Sequence, residues 1–212
     1  MIFDCNCIER LRNDISLRLS SKRFKHSLGV EDTAAKIGSL CLPDKICKLR
    51  CAALLHDVAK EYDKDTLLLF IQKDNFPIKN EDKESPQILH SFAAPYIIKK
   101  EFNEFAKEEI LSACMKHTTG DGEMTIFDEI IFISDFIEDG RTYDACREVR
   151  ELFFSSASSE KSVKENIFAL HKAVLECINK TVSNLTENGK TVNKRTLAAR
   201  KLITELLNAK EK

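Results

Sequence analysis

The chain has 212 residues, enough for one domain with a sizeable core and some elaboration. Six glycines and four prolines fall well below the roughly 12% of average usage, which disfavours turn-rich β sandwiches and disordered low-complexity chains. Lys and Arg number 33 against 34 Asp and Glu, and this net charge of -1 removes the usual electrostatic case for a nucleic-acid or anionic-membrane binder. A small substrate or a protein partner remains.

The opening residues, MIFDCNCIERLRND, place acids and an arginine where an export signal needs a basic start and an apolar run. No stretch of about 18 apolar residues occurs, and the richest run, Ile126 to Ile137, contains Asp128, Glu129 and Asp135, so no membrane span is expected. The expected compartment is the cytoplasm. Cysteines stand at 5, 7, 41, 47, 51, 114, 146 and 177 without a CxxC pair, which predicts reduced thiols packing as small apolar groups.

Apolar positions recur at steps of three and four along nearly the whole chain, and the reading is a single all-α domain over 1–212. A first helix covers about 6–19 and a second about 22–40, where His26, Val30, Thr33, Ile37 and Cys41 share one stripe. Pro43 and Asp44 open a helix predicted to run to about Lys60, and Asp63 or Asp65 caps a short one through Gln72. Residues 74–87, with Pro77 and Pro86, read as a loop. In LHSFAAPYIIKKEF, Pro95 suits a first turn, so the next helix is predicted to begin just after His90, leaving that residue at its N-terminus.

A helix over about 103–117 follows, aligning Ile110, Cys114 and His117, and then the loop TTGDGE. Residues 125–138 are apolar on nearly every face and mark a central core helix, which Gly140 ends. Helices over about 142–155, 161–186 and 192–209 form a C-terminal extension, residues 142–212, to a core of about 20–141.

Four of the five histidines, His26, His56, His90 and His117, fall at predicted helix ends or on buried stripes. Asp57 follows His56 in the apolar setting AALLHDVAK, and Asp135 lies inside IIFISDFIE. A buried carboxylate costs several kcal/mol unless it is paired or coordinates a metal. Four imidazoles and two carboxylates fit one solution, a site for a divalent ion such as Mn, Fe, Co, Ni or Zn. For Asp57 the alternative is an ion pair with Lys60, one helical turn away.

The series His26, His56-Asp57, Asp135 resembles the HD phosphohydrolase superfamily, an all-α metal-dependent group named for its adjacent His-Asp pair. RFKHSLGV, LLHDVAK, LHSFAA, HTTGDGEM and IIFISDFIEDGR are similar, block by block, to the YqeK-type HD proteins, which are symmetrical diadenosine tetraphosphate hydrolases. GKTVNKRTLAARKLI resembles that family's ending, and the likeness covers about residues 20–207. The pattern departs after TTG, where Asp121 stands in place of a frequent arginine.

The resemblance implies an HD helical bundle with additional C-terminal helices and two metal ions, iron favoured. His26, His56, Asp57 and Asp135 would hold one, and Asp57 would bridge to a second held by His90 and His117. Two metals about 3.5–4 Å apart can share a hydroxide as nucleophile and offset charge on the phosphoryl oxygens. Lys60, Arg23 and Arg141 are the candidate cationic clamps, and Thr118 and Thr119 candidate hydroxyl donors. The expected product is two ADP, with a small nucleotide as the partner and a homodimer left open. The competing readings are another HD nucleotide phosphohydrolase and a regulatory protein that binds a nucleotide without turnover.

Overall fold

A computed structural model describes residues 3–209; residues 1–2 and 210–212, the ends of the expected domain, lie outside it. The helices are α1 (Cys5–Arg18), α2 (Ser21–Cys41), α3 (Ile46–Leu55), α4 (Lys64–Lys73), α5 (Asn80–Lys83) and α6 (Pro86–Glu101). They continue with α7 (Glu108–Lys116), α8 (Ile126–Ile137), α9 (Asp144–Ser156), α10 (Val163–Glu187) and α11 (Lys194–Asn208). No strand occurs among the described residues, as the helical periodicity requires.

Helix α8 is central because its sequence leaves it no polar face: Ile130, Ile131, Ile133 and Ile137 are fully buried, and it packs on α2, α3, α7, α9 and α10. Its start is held by a reciprocal cap, in which Asp128 N–H donates to Thr125 Oγ1 at 3.2 Å and Thr125 N–H donates to Asp128 Oδ2 at 2.9 Å. On α2 the predicted stripe is buried, and His26 sits half-buried at its N-terminal end. The same helix buries Glu31, whose carboxylate accepts from Arg12 Nε and Nη2 and from Arg50 Nε, each at 2.9 Å. These charge-assisted bonds tie α1 and α3 to α2.

Four predicted elements are corrected. Helix α3 stops at Leu55 instead of running to Lys60, and the chain continues in tight turns, with Val58 N–H donating to Leu55 O at 3.0 Å and Lys60 N–H to Asp57 O at 2.9 Å. His56 and Asp57, adjacent in sequence, are both buried there. Helix α6 begins at Pro86, not after His90, because a first-turn proline loses no hydrogen bond. Pro95 is therefore inside the helix, leaving the Ser91 carbonyl without its usual donor, and His90 lies buried in the second turn. The segment read as one helix over 103–117 divides into a 3-10 turn at Asn103–Phe105 and α7, while the 74–87 loop contains the single turn α5. Asp63, not Asp65, caps α4, accepting from Thr66 N–H at 2.9 Å.

Helix α10 packs on α2 and α8 and pairs with α9 and α11. Helix α11 closes over the loop after His117: Thr196 Oγ1 donates to Thr119 O at 2.8 Å. Gly120 has φ +65°, and a Cβ there would come within 2.8 Å of the Ala199 methyl, so both backbone and packing require glycine. All eight cysteines are free thiols, six of them buried. No helix among the described residues is long and apolar enough to cross a membrane.

Candidate metal centre

The bundle brings six predicted side chains to one place from five separate segments. His26 comes from α2, His56 and Asp57 from the turn after α3, His90 from α6, His117 from the end of α7 and Asp135 from α8. Donor atoms within 4.8 Å of one another define three overlapping groups: His26, His56 and Asp57; His56, His117 and Asp135; Asp57, His90 and His117. His56, Asp57, His90 and His117 are almost wholly buried.

Local bonds aim the imidazoles inward. His56 Nδ1 lies 2.6 Å from Ala53 O and His117 Nδ1 lies 2.7 Å from Cys114 O, so each ring donates to the carbonyl one turn earlier and turns an unprotonated Nε2 to the centre. His90 Nε2 and His117 Nε2 face each other at 3.0 Å, with Asp57 Oδ1 at 3.1 and 3.6 Å from them. His26 Nε2 lies 3.0 Å from Asp135 Oδ1. His26 Nε2, His56 Nε2 and Asp57 Oδ1 are nonetheless buried without an aligned hydrogen bond. Buried polar atoms left in this way are costly, and a divalent ion satisfies them together. The cluster can hold such an ion, and it contains no thiolate.

The electrostatics suit ligation at neutral pH. Burial pushes the His56 and His90 imidazoles down to about 4, which keeps them neutral and able to coordinate. Burial alone would raise the Asp57 carboxyl, but His56, His117, His90 and Lys60 outweigh it and hold it well below the usual carboxylate range. Asp135 is likewise held down against burial by His26, His56 and Arg141.

Four of the five predicted substrate contacts lie at this centre. Lys60 Nζ is 3.0 Å from His90 Nε2 and 3.6 Å from Asp57 Oδ1, Arg23 Nη1 is 3.4 Å from Asp57 Oδ2, and Arg141 Nη2 donates to Asp135 Oδ1 at 2.7 Å. Thr118 Oγ1 is 3.0 Å from His117 Nε2. Thr119 is not brought in: its hydroxyl is buried beneath α11 and donates to Gly120 O at 2.9 Å. Asp121 faces Arg195 of α11, 3.9 Å away, in a separate cluster.

The sequence reading missed Glu138. Its Oε1 lies 3.2 Å from His26 Nδ1, its Oε2 accepts from Gly140 N–H at 2.6 Å, and the side chain is buried. Gly29, three residues after His26, makes the space, since a Cβ there would meet Glu138 Oε2 at 2.4 Å. The carboxylate thus fixes the ring that presents Nε2 to the centre, and its place one turn after Asp135 was the available signal. Glu138→Gln is expected to weaken binding of a divalent metal about tenfold to a hundredfold, read by titration with Co(II). The fifth histidine, His171, lies elsewhere, with its Nδ1 2.8 Å from Glu129 Oε2 in a buried pair between α10 and α8.

The HD domain family model matches residues 23–157, and the chain belongs to the HD domain family. It is thereby a member of the hydrolase class that its motifs resemble. A symmetrical bis(5'-nucleosyl)-tetraphosphatase from Staphylococcus aureus is 30% identical over 84% of this chain and 92% of its own length. The protein of that name from Bacillus subtilis is 30% identical over 65% of this chain and 73% of its own. A crystal structure of a predicted HD superfamily hydrolase from Clostridium acetobutylicum, described as involved in NAD metabolism, superposes with a TM-score of 0.79 at 28% identity, covering 93% of this chain and 96% of that one.

Proposed function

We propose that the protein splits diadenosine tetraphosphate symmetrically into two ADP, using two divalent metal ions. The observation that carries this reading is the convergence of four imidazoles and two carboxylates, three of whose buried atoms, His26 Nε2, His56 Nε2 and Asp57 Oδ1, have no aligned hydrogen bond of their own. His26, His56, Asp57 and Asp135 would hold one ion, and Asp57, His90 and His117 would hold the second. Iron is favoured by the family resemblance, and Mn, Co, Ni or Zn suit the same nitrogen and oxygen donors. Bound there, such ions would polarise phosphoryl oxygens and activate a water near neutral pH.

The chain's own cations do the remaining electrostatic work. Lys60, beside both Asp57 and His90, sets a positive charge where a phosphoryl group meets the centre, and Arg23 and Arg141 extend that charge outward. Thr118 adds a hydroxyl at His117. A diphosphate leaving group carries charge that this array can stabilise as the anhydride breaks. The choice of a dinucleoside tetraphosphate rests on the relatives that carry that activity in their names. Free thiols throughout fit a reducing compartment such as the cytoplasm.

Product analysis tests the reading. Metal-loaded protein given diadenosine tetraphosphate is expected to release ADP alone. AMP with ATP would sink the symmetric cut, and rapid turnover of a mononucleotide beside an inert dinucleotide would make this a different nucleotide phosphohydrolase.

A further inference from the structure

Two cavities of unlike character flank the histidine and aspartate cluster. One, about 670 Å³, runs past His26 and is lined by four cations, Lys22, Arg23, Lys25 and Arg141, against two acids, Glu138 and Asp139. The other, about 480 Å³, adjoins His117, Thr118 and Asp135 and is walled by Phe132, Phe136, Tyr143 and Leu185. Both lie within the range usual for small-molecule sites. The second cavity offers little to a phosphate chain, because its one lining lysine, Lys180, is already paired with Glu148 and Glu176.

Tyr143 borders both cavities. It stands at the N-cap of α9, where Ser, Thr, Asp or Asn would accept from the first-turn amides, and it makes no such bond. Its surface is 72% exposed, so the ring stabilises neither the helix start nor the core. An aromatic face held in solvent next to a nucleotide-sized cavity suits base stacking, which tolerates any base because every base has a π face. Asn184 on the same wall carries the donor and acceptor that match an adenine edge.

We propose that the apolar cavity receives the purine of the nucleotide half beside His117 and Asp135, stacked on Tyr143, while the cationic cavity receives phosphates on the other side of the metal centre. This deepens the hydrolase reading above and rests on it for the identity of the nucleotide. The arrangement makes the two halves of a symmetric substrate bind unlike surfaces: one half is held by its base and the other by its charge.

Calorimetric titration of metal-loaded protein with ADP and with inorganic pyrophosphate separates the base from the phosphates without requiring turnover. Tyr143→Ala is expected to weaken ADP by between about fivefold and a hundredfold and to leave pyrophosphate binding unchanged, with Tyr143→Phe restoring ADP affinity. The KM for diadenosine tetraphosphate should rise with the ADP dissociation constant. Equal losses for ADP and pyrophosphate, or no loss for ADP, would overturn the assignment. Failure of the unaltered protein to cleave the dinucleotide would count against the proposed activity alone, since the ratio of ADP to pyrophosphate affinity still decides what the cavity binds.

Discussion

Asp57→Ala is expected to lower hydrolysis by at least about a thousandfold and to remove one of the two metal ions. The unaltered protein, purified without oxygen, should carry about two ions per chain by elemental analysis, because Asp57 reaches towards both halves of the cluster. The competing view of Asp57 as an ion-pair partner has some geometric basis, with Lys60 Nζ at 3.6 Å and Arg23 Nη1 at 3.4 Å. An ion pair alone, however, predicts lost stability with turnover preserved in the molecules that remain folded. Turnover retained by the folded variant would refute the catalytic assignment. Lys60→Ala provides the contrast: both ions should stay, while kcat falls about tenfold to a thousandfold through lost stabilisation of phosphoryl charge.

Chelated protein should become progressively less stable as the pH falls from about 6.5 towards 4. Burial lowers the His56 and His90 imidazoles from 6.5 to about 4, so within that window the unfolded chain binds more protons than the folded one. Their contribution is complete above the unfolded value and is lost as acid is added. By pH 5.5 the loss is on the order of 1 kcal/mol for each histidine. Asp57 and Asp135, held below the usual carboxylate range, lose their contribution only at lower pH, as they protonate. Urea midpoints across pH 7.5 to 4.5 measure the effect, and a flat profile between 7 and 5 would show that these rings are not buried neutral. Metal held by these two rings should be released only as they protonate, near pH 4, because they stay neutral in the folded protein above it.

The all-helical class, the buried stripe of α2 and the apolar α8 were legible in the residues themselves because each depends on periodicity along a single segment. The six clustered histidines and aspartates were legible too, since a carboxylate in an apolar helix demands a partner wherever the chain goes. Boundaries were harder to read where two local signals competed. Pro86 and Pro95 both suit a first turn, and only the packing of α6 shows that the earlier one starts the helix and moves His90 into its interior. The end of α3 at Leu55 carries no glycine or proline to announce it.

What only the tertiary structure decided are the contacts between distant segments. Glu138 meets His26 across 112 positions, and the fit depends on the missing side chain of Gly29. Thr119 is claimed by α11, 77 positions further along, instead of by the metal centre. Tyr143 gains its place between two cavities from the packing of α10 beside α8 and α9. The sequence by itself determined the fold class and the chemistry of the clustered imidazoles and carboxylates, because burial makes demands that a residue type carries in its local setting. It left open which groups orient those side chains and what surrounds the cluster, because those depend on distances set only when the helices pack.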